Sequence, residues 1–125
     1  MSFNIASALL ENFLTNQKNE SCIHFFKKST YSYVVLLIII DHHCKSKKLT
    51  IDIIERSVER LTSRKTLFSF LDDAVKQNLI IKTMDPNDKR RVIISPTEQT
   101  IQQFNKWSQR LVHKIIAYNK ETKHQ

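Results

Sequence analysis

The amino-acid sequence predicts a mainly α-helical domain carrying one small β-hairpin. Three observations lead there. Apolar residues recur at helical spacing in several stretches separated by polar breaks. Two β-branched runs flank the turn-forming tetrapeptide Asp85-Pro86-Asn87-Asp88. Ser and Thr stand where helices are expected to start, at Thr50, Ser63 and Ser95. The 125 residues suit one compact domain, 1–125, and a hydrophobic fraction of 41% is enough for a core.

The elements follow in order. Ile5, Leu9 and Phe13, with Ala6, Leu10 and Leu14, predict an amphipathic helix over about 4–18. Residues 19–29 show no clear period and read as a connection. From Thr30 to about His43 the chain is β-branched and apolar almost throughout; its length favours a helix covered on most sides over a buried strand. Lys45 to Lys48 is a polar break. Thr50 then caps a helix with Asp52 in its first turn and Ile51, Ile54, Val58 and Leu61 along one face. Thr62-Ser63 break and cap again, and Leu67, Phe70, Leu71, Ala74 and Val75 predict a second short helix ending near Asn78. Asparagine is the best substitute for glycine at a left-handed helix end. Residues 79–84 and 91–94 read as the two hairpin strands. Ser95 as cap, Pro96 at the first position and Glu98 three residues after the cap predict the start of a last helix reaching about Tyr118. Ile101, Phe104, Leu111, Ile115 and Tyr118 lie on a near-heptad seam interrupted by Ser108, with Trp107 and Val112 beside it. Two short helices joined by a turn and followed by a hairpin make a winged helix-turn-helix, here with helices at both termini.

Composition narrows the function. There is no glycine. Phosphate loops, dinucleotide fingerprints and nucleophile elbows need glycine where the backbone must approach a phosphate or turn sharply, so enzymes of those classes are excluded in their standard form, and no enzyme activity or cofactor is expected. The net charge of +8 favours an anionic partner, nucleic acid before a membrane surface. The longest apolar run, Tyr33 to Ile40, is far short of the ~20 residues that span a bilayer, and Met1-Ser2-Phe3-Asn4 carries no positive leader region. A cytoplasmic protein with reduced thiols, away from membranes, is the expectation. The letters Asp41-His42-His43-Cys44 resemble the signature of protein S-palmitoyltransferases, but that family's spanning helices and cysteine-rich domain have no counterpart in this sequence. Adjacent His42 and His43 point about 100° apart on a helix, so a metal site built from them with Cys44, Cys22 and His24 is not expected.

Leu49 to Thr97 resembles the DNA-binding part of the MarR family of bacterial transcription regulators. The specific match is Asp85-Pro86-Asn87-Asp88-Lys89-Arg90-Arg91 followed by Val92-Ile93-Ile94-Ser95-Pro96-Thr97. It is similar to that family's wing, an Asp-Pro-x-Asp-x-Arg turn, an apolar strand and a threonine opening the last helix. The resemblance implies a DNA-binding unit over 49–95 and a homodimer formed by helices 4–18 and 97–118. It further implies that Arg90 enters a minor groove and that Asp88 orients it. Independently, a recognition helix over about 63–78 would present Ser63, Arg64, Lys65, Thr66 and Ser69 to a major groove. The wing, about 79–94, adds Lys89, Arg90 and Arg91, the last on a different face by alternation. Lys45, Lys47 and Lys48 are candidate phosphate contacts. Residues 45–91 hold 12 Lys or Arg and 7 Asp or Glu, a net of +5 within the total of +8. The sequence departs from the family at Ser69, where many members place arginine. Double-stranded DNA and a second copy are therefore the expected partners, with a small-molecule effector left open. The alternatives are a winged-helix protein–protein interaction module and a regulator responsive to metal or thiol chemistry.

Overall fold

A computed structural model describes residues 5–15 and 20–123, with side chains as far as Ala117. Six helices and a hairpin follow in the order α1 (Ile5–Leu14), α2 (Ser21–Phe26), α3 (Thr30–Cys44), α4 (Ile51–Val58), α5 (Arg64–Lys76), β1 (Ile80–Asp85), β2 (Asp88–Pro96) and α6 (Glu98–Lys123). Asn4 and residues 16–18 of the expected first helix lie outside the described residues, as does the side chain of Tyr118.

The core forms around α3. Its Val35, Leu36, Ile39 and Ile40 are buried against Ile54 and Val58 of α4, Leu67, Phe70 and Leu71 of α5, and Ile80 and Ile94 of the hairpin. α3 starts on a reciprocal box in which the Ser29 and Ser32 side chains cap each other's backbone amides. It ends with Ser46 at φ 54°, where the Ser46 amide bonds the His43 carbonyl at 3.1 Å and the Lys47 amide bonds the His42 carbonyl at 2.9 Å. α5 ends the same way on Asn78 at φ 61°, with the Leu79 amide on the Ala74 carbonyl at 2.9 Å. Both are left-handed terminators made without glycine.

The antiparallel hairpin pairs Ile80 with Pro96 and Met84 with Val92, then turns through an irregularity between Met84 and Asp85. A third segment joins its outer edge: Thr50 bridges Ile93, and the Ile94 amide bonds the Leu49 carbonyl at 2.8 Å. Thr50 thus ties the wing and also caps α4, where its hydroxyl accepts from the Ile53 amide at 3.4 Å.

Three sequence expectations change. Residues 19–29 contain the short helix α2, whose Cys22, Ile23, Phe25 and Phe26 are buried. Six residues are too few for periodicity to register. Ser95 and Pro96 belong to β2 and pair with Ile81 and Ile80, so they do not start α6. Thr97 caps α6 instead: its Oγ1 lies 3.4 Å from the Thr100 amide and 2.9 Å from the Asn78 carbonyl. Strand pairing outweighs the local start signal because Ile94, immediately before Ser95, is anchored in the core. The last helix runs on to Lys123, past Tyr118. The apolar stripe of α1, whose inner or outer placement the spacing alone leaves open, faces outward. Ala8 and Asn12 are buried, whereas Ile5, Leu9, Leu10, Phe13 and Leu14 are 40–65% exposed.

α6 crosses α1 and α2. Trp107 is buried there, Gln103 Oε1 accepts from the Cys22 amide at 3.0 Å, and Arg110 Nη2 bonds Glu20 Oε2 at 2.7 Å. Glu20 is only 2% exposed, so removing that arginine would leave a buried carboxylate without its ion-pair partner. Among the described residues, no helix is long and apolar enough to cross a membrane.

Candidate nucleic-acid interface

The N-terminal turns of α5 are the first half of the site. Ser63 caps the helix by accepting from the Thr66 amide at 3.1 Å. Leu67, Phe70, Leu71 and Ala74 turn inward and leave Arg64, Lys65, Thr66 and Ser69 exposed. Those residues form one polar surface, as the period of 3.6 expects. Arg64 is less free than the sequence suggests. Its guanidinium stacks 4.9 Å from the Phe68 ring, and its Nε is 3.6 Å from Glu55 Oε1 on α4. Both contacts hold it near the helix start while its side chain stays 71% exposed.

The hairpin tip is the second half. Asp85 is buried, and its Oδ1 accepts from the Asn87 amide at 3.0 Å and from Lys48 Nζ at 3.3 Å. This closes the turn from inside. Asp88 Oδ1 accepts from the Arg90 amide at 3.1 Å and stands 3.5 Å from Arg90 Nε. Arg90 is nevertheless 94% exposed, so the aspartate steers the guanidinium from its Nε side while the rest of the group extends into solvent. Lys89 and Arg91 are also exposed.

The Asn87 amide, then Lys48, hold the Asp85 carboxyl below the usual carboxylate range. A depressed folded value stabilises the fold above the unfolded value of about 3.9, and that stability is lost as pH falls through the folded one. The wild-type melting temperature should therefore fall more steeply than that of Asp85→Asn below about pH 4. Equal acid slopes for the two proteins would reject Asp85 as the lock of the wing turn.

The three lysines expected at phosphates are differently placed. Lys45 pairs with Asp41 at 3.1 Å, Lys48 with Asp85, and Lys47 has no ion pair among the described residues. Lys47 and Lys48 line a 320 Å³ cavity beside His42, His43, Ile94 and Pro96, at the base of the wing. The cysteines are separate: Cys22 is buried and Cys44 exposed. Burial pushes the Cys22 thiol up, which disfavours the reactive thiolate. Among the described residues, no group of three or more His, Cys, Asp or Glu is arranged to hold a metal ion.

Lys28 and Tyr31 were not marked by the sequence. They line a groove together with Lys65, Thr66 and Ser69 of α5. The only local signal was the pair Lys27-Lys28 in a segment without period.

No family model matches the chain, and no curated protein matches it. Solved structures do. Reduced AbfR bound to DNA is 22% identical with a TM-score of 0.55, covering 86% of this chain and 70% of that one. Overoxidized AbfR bound to DNA is 23% identical with a TM-score of 0.55, covering 95% and 77%. The YusO protein from Bacillus subtilis is 17% identical with a TM-score of 0.56, covering 90% and 74%. Likeness at this level speaks to architecture: with the hairpin register and the α4–α5 turn, the chain shares a winged helix-turn-helix fold with these structures.

Proposed function

We propose that the protein is a DNA-binding transcription regulator that acts as a homodimer. Each protomer sets its recognition helix, about residues 63–78, in a major groove and its wing, about residues 79–94, in the neighbouring minor groove. The observation that carries this reading is the pairing of two solvent-facing basic surfaces on one fold. One is the capped N-terminal face of α5, and the other is the wing tip, where Arg90 is steered by Asp88 and left 94% exposed. An arginine held in that way suits the negative potential of a narrow minor groove. AbfR, which shares the fold, has been solved on DNA. The dimer is supported by apolar side chains that are exposed among the described residues: Leu9, Leu10 and Leu14 on α1, and Val112 and Ile116 on α6. No catalysis enters this reading.

The test is selection of bound fragments from a genomic pool, followed by a salt titration on the selected duplex. Log affinity should fall linearly with log salt, with a slope of about −0.9 for each phosphate neutralised. A pool with no enrichment, or an affinity indifferent to salt, would overturn the reading.

A further inference from the structure

We propose that Lys28 and Tyr31, outside the helix-turn-helix, grip a DNA backbone phosphate beside the recognition helix. The proposal rests on the DNA-binding reading above and extends its footprint to the turn between α2 and α3.

The observation is a groove of about 520 Å³. One wall is α5, through Lys65, Thr66 and Ser69; the other is the α2–α3 turn and the first turn of α3, through Lys28 and Tyr31. Its floor is rigid. Phe25 and Phe70 stack with centroids 4.9 Å apart and planes 21° from parallel, and Tyr31 meets Phe70 edge-on at 5.5 Å. This aromatic floor fixes the distance between the two walls.

The charges around the groove are unbalanced. Lys28 Nζ sits 5.1 Å over the Phe25 ring, a cation–π contact that keeps the ammonium beside the floor while the residue as a whole stays exposed. Neither Lys28 nor Lys65 has an ion pair among the described residues. The Tyr31 hydroxyl likewise has no hydrogen-bond partner among them. The one carboxylate in the groove is Asp73, a turn and more beyond Ser69 along α5. Against it stand the two lysines Lys28 and Lys65, so the lining carries a net positive charge. The dipole of the 15-residue helix α3, which starts at Thr30, adds to the same field.

The occupant follows from what forms the wall. Lys65, Thr66 and Ser69 are the side chains that meet base edges in the proposed complex. A strand whose bases meet them carries its phosphates along the flank of the same helix. Lys28 and Tyr31 stand on that flank. Phosphate contacts of this kind set position and affinity and carry no sequence information.

The test uses the full chain and the duplex selected above, with an unrelated duplex beside it. Lys28→Ala should weaken binding by the same factor on both. Its salt slope should become shallower by about 0.9 per protomer, or about 1.8 for a dimer. Lys28→Arg should keep the wild-type slope, and Tyr31→Phe should lose affinity at an unchanged slope. The melting temperature of each variant shows that it is folded. Failure of the wild type to bind any duplex defeats the functional reading itself. Wild-type binding with an unchanged slope in Lys28→Ala defeats only the present proposal. So does a Lys28→Ala loss confined to one sequence, which would mark a base contact, or an equal loss in Lys28→Arg, which would show that charge is not the cause.

Discussion

Replacing Phe70 with alanine will cost about 3–5 kcal/mol of folding stability, the range for deleting a buried aromatic ring. Phe70 is the hub of the aromatic cluster. It stacks on Phe25, meets Phe26 edge-on at 5.7 Å and takes the edge of Tyr31. These contacts join the recognition helix to α2 and α3, so the void will open between elements and cannot be closed by one side chain shifting within its own helix. Its relative exposure is 9%. For a domain of this size the melting temperature should drop by roughly 10–20 °C. Urea unfolding followed by circular dichroism measures it directly. A loss under about 1 kcal/mol, the range of surface substitutions, would mean that the cluster is not packed as described.

Arg90→Ala will have the largest effect on binding for the smallest effect on folding. Hydrogen bonds to charged groups contribute about 1.5–3 kcal/mol, so DNA affinity should fall about ten- to hundredfold. The side chain is almost wholly in solvent and its ion pair with Asp88 is exposed, so the melting temperature should scarcely move. Fluorescence anisotropy on a labelled duplex at low and physiological salt gives the number. Wild-type affinity at both salt concentrations would remove the wing from the interface.

The parts of the molecule legible in the sequence are those fixed by local chemistry. Thr50 and Ser63 cap the helices they were expected to cap, and Asn78 takes the left-handed angle that ends α5. The hairpin turn lies where Asp85-Pro86-Asn87-Asp88 places it. What escaped the sequence depends on contacts between distant residues. The spacing of Ile5, Leu9 and Phe13 identifies a stripe but not what covers it, and in the folded chain that stripe faces outward. Ser95 has every local mark of a cap, yet pairing with Ile81 commits it to the strand. Arg64 reads as a free base-reader, while Glu55 restrains it from across the turn and Phe68 from the next turn of its own helix. The groove at Lys28 and Tyr31 exists only because an aromatic floor joins residues some forty positions apart.

The helix terminators at Ser46 and Asn78 bear on how a duplex would be read. A β-carbon at each narrows the angles that glycine would leave open, and the chain has no glycine elsewhere. Asn78 is the joint between α5 and the wing, and Ser46 the joint between α3 and the segment pinned to the wing by Thr50. Stiff joints leave the recognition helix and the wing little freedom to adjust their relative angle. The work of fitting then falls on the nucleic acid, which must bend or change its groove width to meet both at once. Deforming DNA costs less at flexible pyrimidine–purine steps and more in stiff tracts. Under the proposed function, a rigid reader would therefore discriminate among base pairs that no side chain touches, through the elasticity of the duplex itself.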